Sequence, residues 1–318
     1  MNTYDVVALG ELLIDFTGSG ESPQGNPLLE ANPGGAPCNV LSLLAKLGHK
    51  TAFIGKVGND GFGLQLKAAL AEVGISTKGL LLDPDTHTTL AIVQTLPGGD
   101  RDFSFYRKPG ADMMLRKDEL DPELLLNTKI FHFGSLSMTD EPCRTATRLA
   151  IASAEDAGAL LTFDPNLREP LWDTLDEARE QILYGLGHCQ VLKISDNEIQ
   201  WLSGMDDYDE GIGWLRSQFD IPLILLSMGA DGSRAYQGGL RVEVPVFPVD
   251  TIETTGAGDT FFGGVIHYIL DHGFRDYTES ELTEMLTFAN AGAALVTTRK
   301  GALRVMPTRE EIDALMKR

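Results

Sequence analysis

Cysteine is scarce: Cys38, Cys143 and Cys189 are the only three in 318 residues, an odd set at wide, irregular spacing. Such a cysteine set fits neither a disulfide framework nor a zinc site, and it predicts reduced thiols in a cytoplasm. Positive charge is also short, with 26 Lys and Arg against 46 Asp and Glu, for a formal net charge of −20. Such a surface repels a phosphate backbone, so no nucleic-acid partner is expected, and any anionic ligand must find local amides, a bound cation or a few placed basic residues. The segment MNTYDVVALG lacks a basic region followed by a long apolar run, and no stretch approaches the roughly 20 apolar residues that span a bilayer. Neither secretion nor membrane insertion is expected. Repeats, low-complexity tracts and Pro-rich linkers are absent too, which argues for one large domain over residues 1–318 with small insertions.

The residues that are present belong to a globular chain, 43% hydrophobic and 23% charged. Short β-rich runs alternate with helical patterns: YDVVALG, a helix after Pro37, TAFIGKVG, a helix from Phe62 to Val73, then KIFHFGS, ALLTFDPN, CQVLKIS and IPLILLSMG. This alternation predicts an α/β fold, a doubly wound and mostly parallel sheet flanked by helices. Two segments break the rhythm. Residues 15–33 are rich in Gly, Pro, Ser and Asn, and residues 88–107 read as a hairpin, TTLAIVQT and RDFSFYR, turning at Pro97 to Asp100. They are expected either as a small β-sheet lid over one end of the main sheet or as two separate surface excursions.

The strongest chemical signal is ETTGAGDTFFGG, from Glu253 to Gly264, with Gly273 as a helix stop. Gly256, Ala257 and Gly258 are small enough to bring backbone amides against a phosphate at the positive end of a helix. No Lys-Ser or Lys-Thr follows the last Gly, and Phe261 stands where a dinucleotide fingerprint needs Gly, so this is neither a P-loop nor a nicotinamide-binding turn. Asp259 reads in two ways, as a helix cap or as an acceptor of a hydroxyl proton beside that amide cradle. Gly263 and Gly264 each cost a helix about 1 kcal/mol relative to Ala, which implies that something packs very close there. A helix N-terminus would keep Asp259 ionised and thus a weak base.

A second motif, NPGGAPCNVLSLLAKLG, runs from Asn32 to Gly48. Val40, Leu43, Leu44 and Leu47 share a helical face, Pro37 suits the first turn and Gly48 the stop. Gly34 and Gly35 serve either a tight turn or close approach to a polar ligand, and Asn39 offers a donor and an acceptor to sugar hydroxyls.

In that order and separation the two motifs resemble the signatures of the PfkB, ribokinase-like carbohydrate kinases, and FDPNLREPLW with FYRKPGADMML resembles the fructokinase branch. The resemblance implies Asp259 as general base and Gly256, Ala257 and Gly258 as anion hole. It places Asp15 of GELLIDF, Gly34, Gly35, Asn39, Arg107, Asp164, Asn166 and Arg168 around the sugar, with Arg107 reaching down from the lid. Lys193, Ser227, Gly229, Gly232, Asn290 and Gly301 fall on the nucleotide side. Glu198 of KISDNEIQWL matches an acid that organises Mg2+ through water, although Ser195 and Glu198 also spell a helix capping box. Glu253 and Thr255 match a monovalent-cation site, with Glu253 standing where the family carries Asp. The implied activity is transfer of the γ-phosphate of ATP to a sugar hydroxyl, foremost fructose, with Mg2+ and K+ as ions. A lid built from residues 15–33 and 88–107 would need its edges and apolar face covered, so a homodimer formed by pairing lids is expected. Other sugars such as ribose or 2-keto-3-deoxygluconate are the alternative acceptors, and a non-catalytic sugar- or nucleotide-binding protein on the same fold is the alternative class.

Overall fold

The computed structural model describes residues 3–95 and 101–317; the hairpin tip expected at Pro97 to Asp100 lies outside them. In chain order the strands are β1 (Tyr4–Leu9), β2 (Leu13–Glu21), β3 (Pro27–Gly34), β4 (Thr51–Gly58), β5 (Ser76–Asp83), β6 (Leu90–Thr95) and β7 (Arg101–Tyr106). Then follow β8 (Thr128–Gly134), β9 (Leu160–Asp164), β10 (Val191–Ser195), β11 (Leu223–Ser227), β12 (Ser233–Gln237) and β13 (Leu240–Val244). Helices α1 (Ala36–Lys46), α2 (Gly61–Glu72), α3 (Pro122–Leu126), α4 (Cys143–Asp156) and α5 (Leu175–Leu186) are interleaved with them. So are α6 (Asp196–Ser203), α7 (Tyr208–Gln218), α8 (Ala257–His272), α9 (Glu279–Thr297) and α10 (Arg309–Met316).

Among the described residues nine strands make one sheet, ordered β13-β12-β11-β10-β9-β8-β1-β4-β5. It is parallel from β5 to β11, and β12 and β13 add an antiparallel edge. The parallel strands are apolar on both faces because helices cover both. In β1, Val6 and Ala8 join the core under α1, α2, α8 and α9, while Val7 and Leu9 join the core under α3 to α7. All three cysteines are buried and unpaired.

The two segments that break the α/β rhythm come together. The hairpin β2–β3 and the hairpin β6–β7 join through a parallel β2–β6 pairing into a four-stranded sheet, β3-β2-β6-β7. The main sheet is parallel, so the loops after β1, β8, β9, β10 and β11 all leave at one edge, which is where an open α/β sheet gathers ligand groups. The small sheet adjoins that edge, since β2 begins three residues after Gly10 and β3 runs into Gly34, directly before α1.

Candidate active site

A cleft of about 600 Å³ opens at this edge. Its floor is the start of α8. Gly256 precedes the helix with φ +77, a left-handed conformation suited to glycine, and offers no capping side chain. A Cβ there would also sit 2.6 Å from Ala302 Cβ. Ala257 N–H turns back to Thr254 O at 3.2 Å, so within the GAG turn Gly258, followed by Asp259, offers the first-turn amides that the helix itself leaves unused. Asp259 does not cap its helix. Its Oδ2 accepts a 2.7 Å hydrogen bond from Asn39 Nδ2 in the first turn of α1. Burial raises its pKa, against the pull of the Asn39 bond and of the Lys193 and Arg168 charges. Burial thus opposes the pull toward the ionised form expected from the helix end. Asn39 Oδ1 is buried with no hydrogen-bond partner.

The close approach inferred at Gly263 and Gly264 is to protein. A Cβ at Gly263 would lie 2.9 Å from Leu43 Cδ2 of α1, and one at Gly264 2.9 Å from Ala289 Cα of α9. These glycines let α8 sink between its neighbours, and that seats Asp259 against Asn39.

Beside the helix start, Lys193 Nζ bonds both oxygens of Asp164, at 3.1 and 3.0 Å. Burial alone would lower the lysine's pKa, but the carboxylates of Asp164, Glu198 and Asp259 outweigh it and hold the ammonium charged. A Cβ at Gly258 would stand 3.2 Å from Lys193 Nζ, so the glycine keeps amide and ammonium adjacent. Glu198 closes the capping box of α6 by accepting Ser195 N–H at 2.8 Å, and it clamps the loop after β9 by accepting Leu167 N–H at 2.8 Å. The cap and the cleft-facing position coexist.

On the expected sugar side, Asp15, Gly35, Asn39, Asn166 and Arg168 line the cleft. Asp15 is half-buried on β2, yet its carboxyl is desolvated enough to reach a pKa of about 7, with Arg168 pulling down and Glu253 and Asp259 pushing up. Gly34 lies behind the lining because Asp15 fills its place: a Cβ would overlap Asp15 Oδ2. Asp164 is held under Lys193 and does not itself line the cleft. Asn166 takes φ +46, which turns the loop after β9 toward it. Arg107 departs from expectation. Its side chain is 97% buried and its guanidinium bonds Asp112 Oδ2 at 2.7 Å, Thr139 Oγ1 at 2.9 Å and Leu136 O at 2.8 Å. A buried guanidinium needs such partners, so Arg107 pins the end of β7 to the loop after β8 instead of lining the cleft.

On the expected nucleotide side, Ser227 and Gly229 line the cleft, while Gly232, Asn290 and Gly301 do not. Gly232 holds φ +97 in a turn against Val244 O. The Asn290 side chain is consumed by Val244 O, Pro245 O and Ser233 Oγ. Gly301 N–H donates to Glu253 Oε2 at 3.1 Å, and Glu253 Oε1 accepts from Thr255 Oγ1. Glu253 thus braces the loop before α8 against the segment after α9, with Thr255 on the cleft wall.

Comparison with known proteins decides the family. The model of the pfkB family carbohydrate kinases matches residues 3–309. The chain belongs to that family. It is a carbohydrate kinase, a phosphotransferase acting on a sugar hydroxyl. This kinase is 42% identical to the probable fructokinase-4 of Arabidopsis thaliana, over 98% of this chain and 96% of the relative. It is similar to the crystal structure of a fructokinase with bound ATP from Xylella fastidiosa, with 32% identity, TM-score 0.90 and 98% coverage of both chains. It is also similar to a double mutant of the Vibrio cholerae fructokinase in a fructose, ADP and potassium ion bound form, with 30% identity, TM-score 0.88 and 99% coverage of both chains.

The kinase also carries cleft residues that the motifs did not single out: Glu11, Leu13, Phe105, Leu136 and Asp196. Glu11 was legible inside GELLIDF, at the exit of β1. It is buried, accepts Ala36 N–H at 2.8 Å and so supplies the N-terminal acceptor that Gly35 cannot give α1. Burial raises its pKa to about 7.

Proposed function

We propose that this carbohydrate kinase transfers the γ-phosphate of ATP to D-fructose, giving fructose 6-phosphate and ADP. The observation that carries the reading is Asp259, desolvated, fixed by Asn39 at 2.7 Å and set one residue after the Gly258 amide beside the Lys193 ammonium. The fructose hydroxyl oxygen attacks Pγ as its proton passes to Asp259, a new O–P bond forms, the bond from Pγ to the β-bridging oxygen breaks, and ADP leaves with that electron pair. The α8 amides and Lys193 offset charge on the transferred group, the main task in a loose phosphoryl-transfer transition state. Asp15, with Arg168 near it, and the orphaned Asn39 Oδ1 are assigned to sugar hydroxyls. The choice of fructose is supported by full-length relatives named fructokinases, one of them holding fructose with ADP and potassium.

Glu198 and Asp196 present carboxylates to the cleft, and each Glu198 oxygen keeps a lone pair beyond its single amide bond, a hard-donor set that suits Mg2+ through water. Bound Mg2+ would neutralise phosphate oxygens. K+ is assigned to Glu253 and Thr255: turnover should rise when K+ replaces Na+, and equal turnover in the two salts removes that ion. We place the kinase in the cytoplasm, as one ribokinase-like unit over residues 1–318 that dimerises through its lid.

A coupled ADP-release assay across a sugar panel tests the acceptor. Fructose should give the highest kcat/KM; a preference of about tenfold or more for ribose or 2-keto-3-deoxygluconate, some 1.4 kcal/mol of transition-state binding, would replace it.

A further inference from the structure

Helices α1 and α8 meet at the active site through Asn39 and Asp259, and they meet again near their other ends. His49, three residues beyond α1, places Nε2 2.7 Å from Nδ1 of His267 on α8. One turn further along α8, Asp271 Oδ2 lies 3.4 Å from His267 Nε2. Each of these three side chains offers a ligand atom, and the three atoms lie within 4.8 Å of one another. We propose that His49, His267 and Asp271 form a binding site for a divalent transition metal of the zinc class, about 12 Å along α8 from Asp259 and separate from the phosphoryl-transfer cleft.

Two imidazoles and one carboxylate, open to water on the Asp271 side, are borderline donors that suit Zn2+ or Co2+ and select against Mg2+, which takes oxygen. Both rings are held neutral, the form that ligates. Arg309 Nη1 donates to His267 Nε2 at 3.0 Å, so that atom carries a lone pair and the proton sits on Nδ1, shared with His49. Burial acts the same way, lowering the pKa of both rings, that of His267 to about 4. Metal entry takes His49 Nε2, His267 Nδ1 and one Asp271 oxygen as ligands and moves the His267 proton from Nδ1 to Nε2, toward the other Asp271 oxygen, so no net proton is released. Arg309 must give way. It already has Asp313 Oδ1 3.0 Å from its Nε as an alternative anchor. The metal would then staple the far ends of α1 and α8, whose near ends carry the proposed base and its partner.

The test uses the full chain, stripped with a chelator and free of nucleotide, in millimolar MgCl2 that fills oxygen-donor sites. Zinc chloride is titrated calorimetrically, and cobalt chloride is followed by visible absorption. One Zn2+ per chain should bind, raise the melting temperature and give a cobalt absorption band that zinc displaces. His49→Gln and Asp271→Asn change a half-buried and an exposed side chain, so both should fold, and each should weaken zinc binding by at least about tenfold. Wild-type protein that takes up no zinc, or wild-type affinity retained in both variants, overturns the site.

Discussion

At Asp259 charge can be removed without changing shape. Asp259→Asn keeps an oxygen to accept the Asn39 Nδ2 bond, and it relieves a half-buried carboxylate whose pKa is already raised by desolvation, so melting should be unchanged or slightly higher. Losing the proposed general base should lower turnover about 10²- to 10⁴-fold with ATP affinity kept. Near-normal turnover in a variant of unchanged melting temperature would leave Asp259 a packing residue. Glu11 gives a pH prediction. Its folded pKa is raised to about 7 from 4.5, so the unfolded state loses its proton first, and the group's contribution is complete below the unfolded value and fades as pH rises through the folded one. Glu11→Gln keeps the acceptor for Ala36 N–H, and should therefore melt at the wild-type temperature at pH 4, below the unfolded value, and above it at pH 8. Equal melting at both values would mean that Glu11 is not desolvated. The residue chemistry was partly legible: GAGD of the ETTGAGDT motif and Asn39 of the first motif were both singled out, and both line the cleft. The partners were not, because the Asn39–Asp259 and Lys193–Asp164 bonds join residues 220 and 29 positions apart. Arg107 shows the limit most plainly, since its sequence neighbours say nothing of Asp112, Thr139 and Leu136 closing around it.

At the scale of elements, the site depends on α8 lying deep between α1 and α9, and glycine makes that possible. Gly264→Ala would put a Cβ 2.9 Å from Ala289 Cα, a backbone neighbour that cannot swing away. Overpacking of this kind costs about 1–3 kcal/mol, more than the roughly 1 kcal/mol that Ala adds to helix propensity. A lower urea midpoint is expected, together with reduced turnover as Asp259 shifts from Asn39; a higher midpoint would show that the helices have room to spare. The elements themselves were well marked in the sequence. The expected TAFIGKVG strand is β4, and the helix expected from Phe62 to Val73 is α2, displaced by one residue at each end. What periodicity could not give was the purpose of Gly263 and Gly264, because an inter-helix contact and a ligand contact leave the same gap in a helical pattern.

For the molecule as a whole, the small sheet raises the question of its exposed apolar surface. Leu28 and Leu29 on β3 are 45% and 46% exposed and Tyr106 on β7 is 63% exposed, and β3 and β7 are the two edges of that sheet. Edges and apolar faces of this kind are protected by pairing. Light scattering should return a dimer, and Leu28→Lys with Leu29→Lys should return a monomer that still binds ATP; a wild-type monomer removes lid pairing. That the two insertions would share one sheet was only half legible, since the parallel β2–β6 pairing joins segments more than seventy residues apart, with α1, β4, α2 and β5 between them. The central claim, ATP-dependent phosphorylation of fructose, is tested most directly by following phosphorus-31 resonances with ATP, Mg2+ and fructose present. The account predicts fructose 6-phosphate and ADP appearing in equal amounts, with little ATP consumed when fructose is left out. ATP turning into ADP and inorganic phosphate at the same rate with or without the sugar would contradict it.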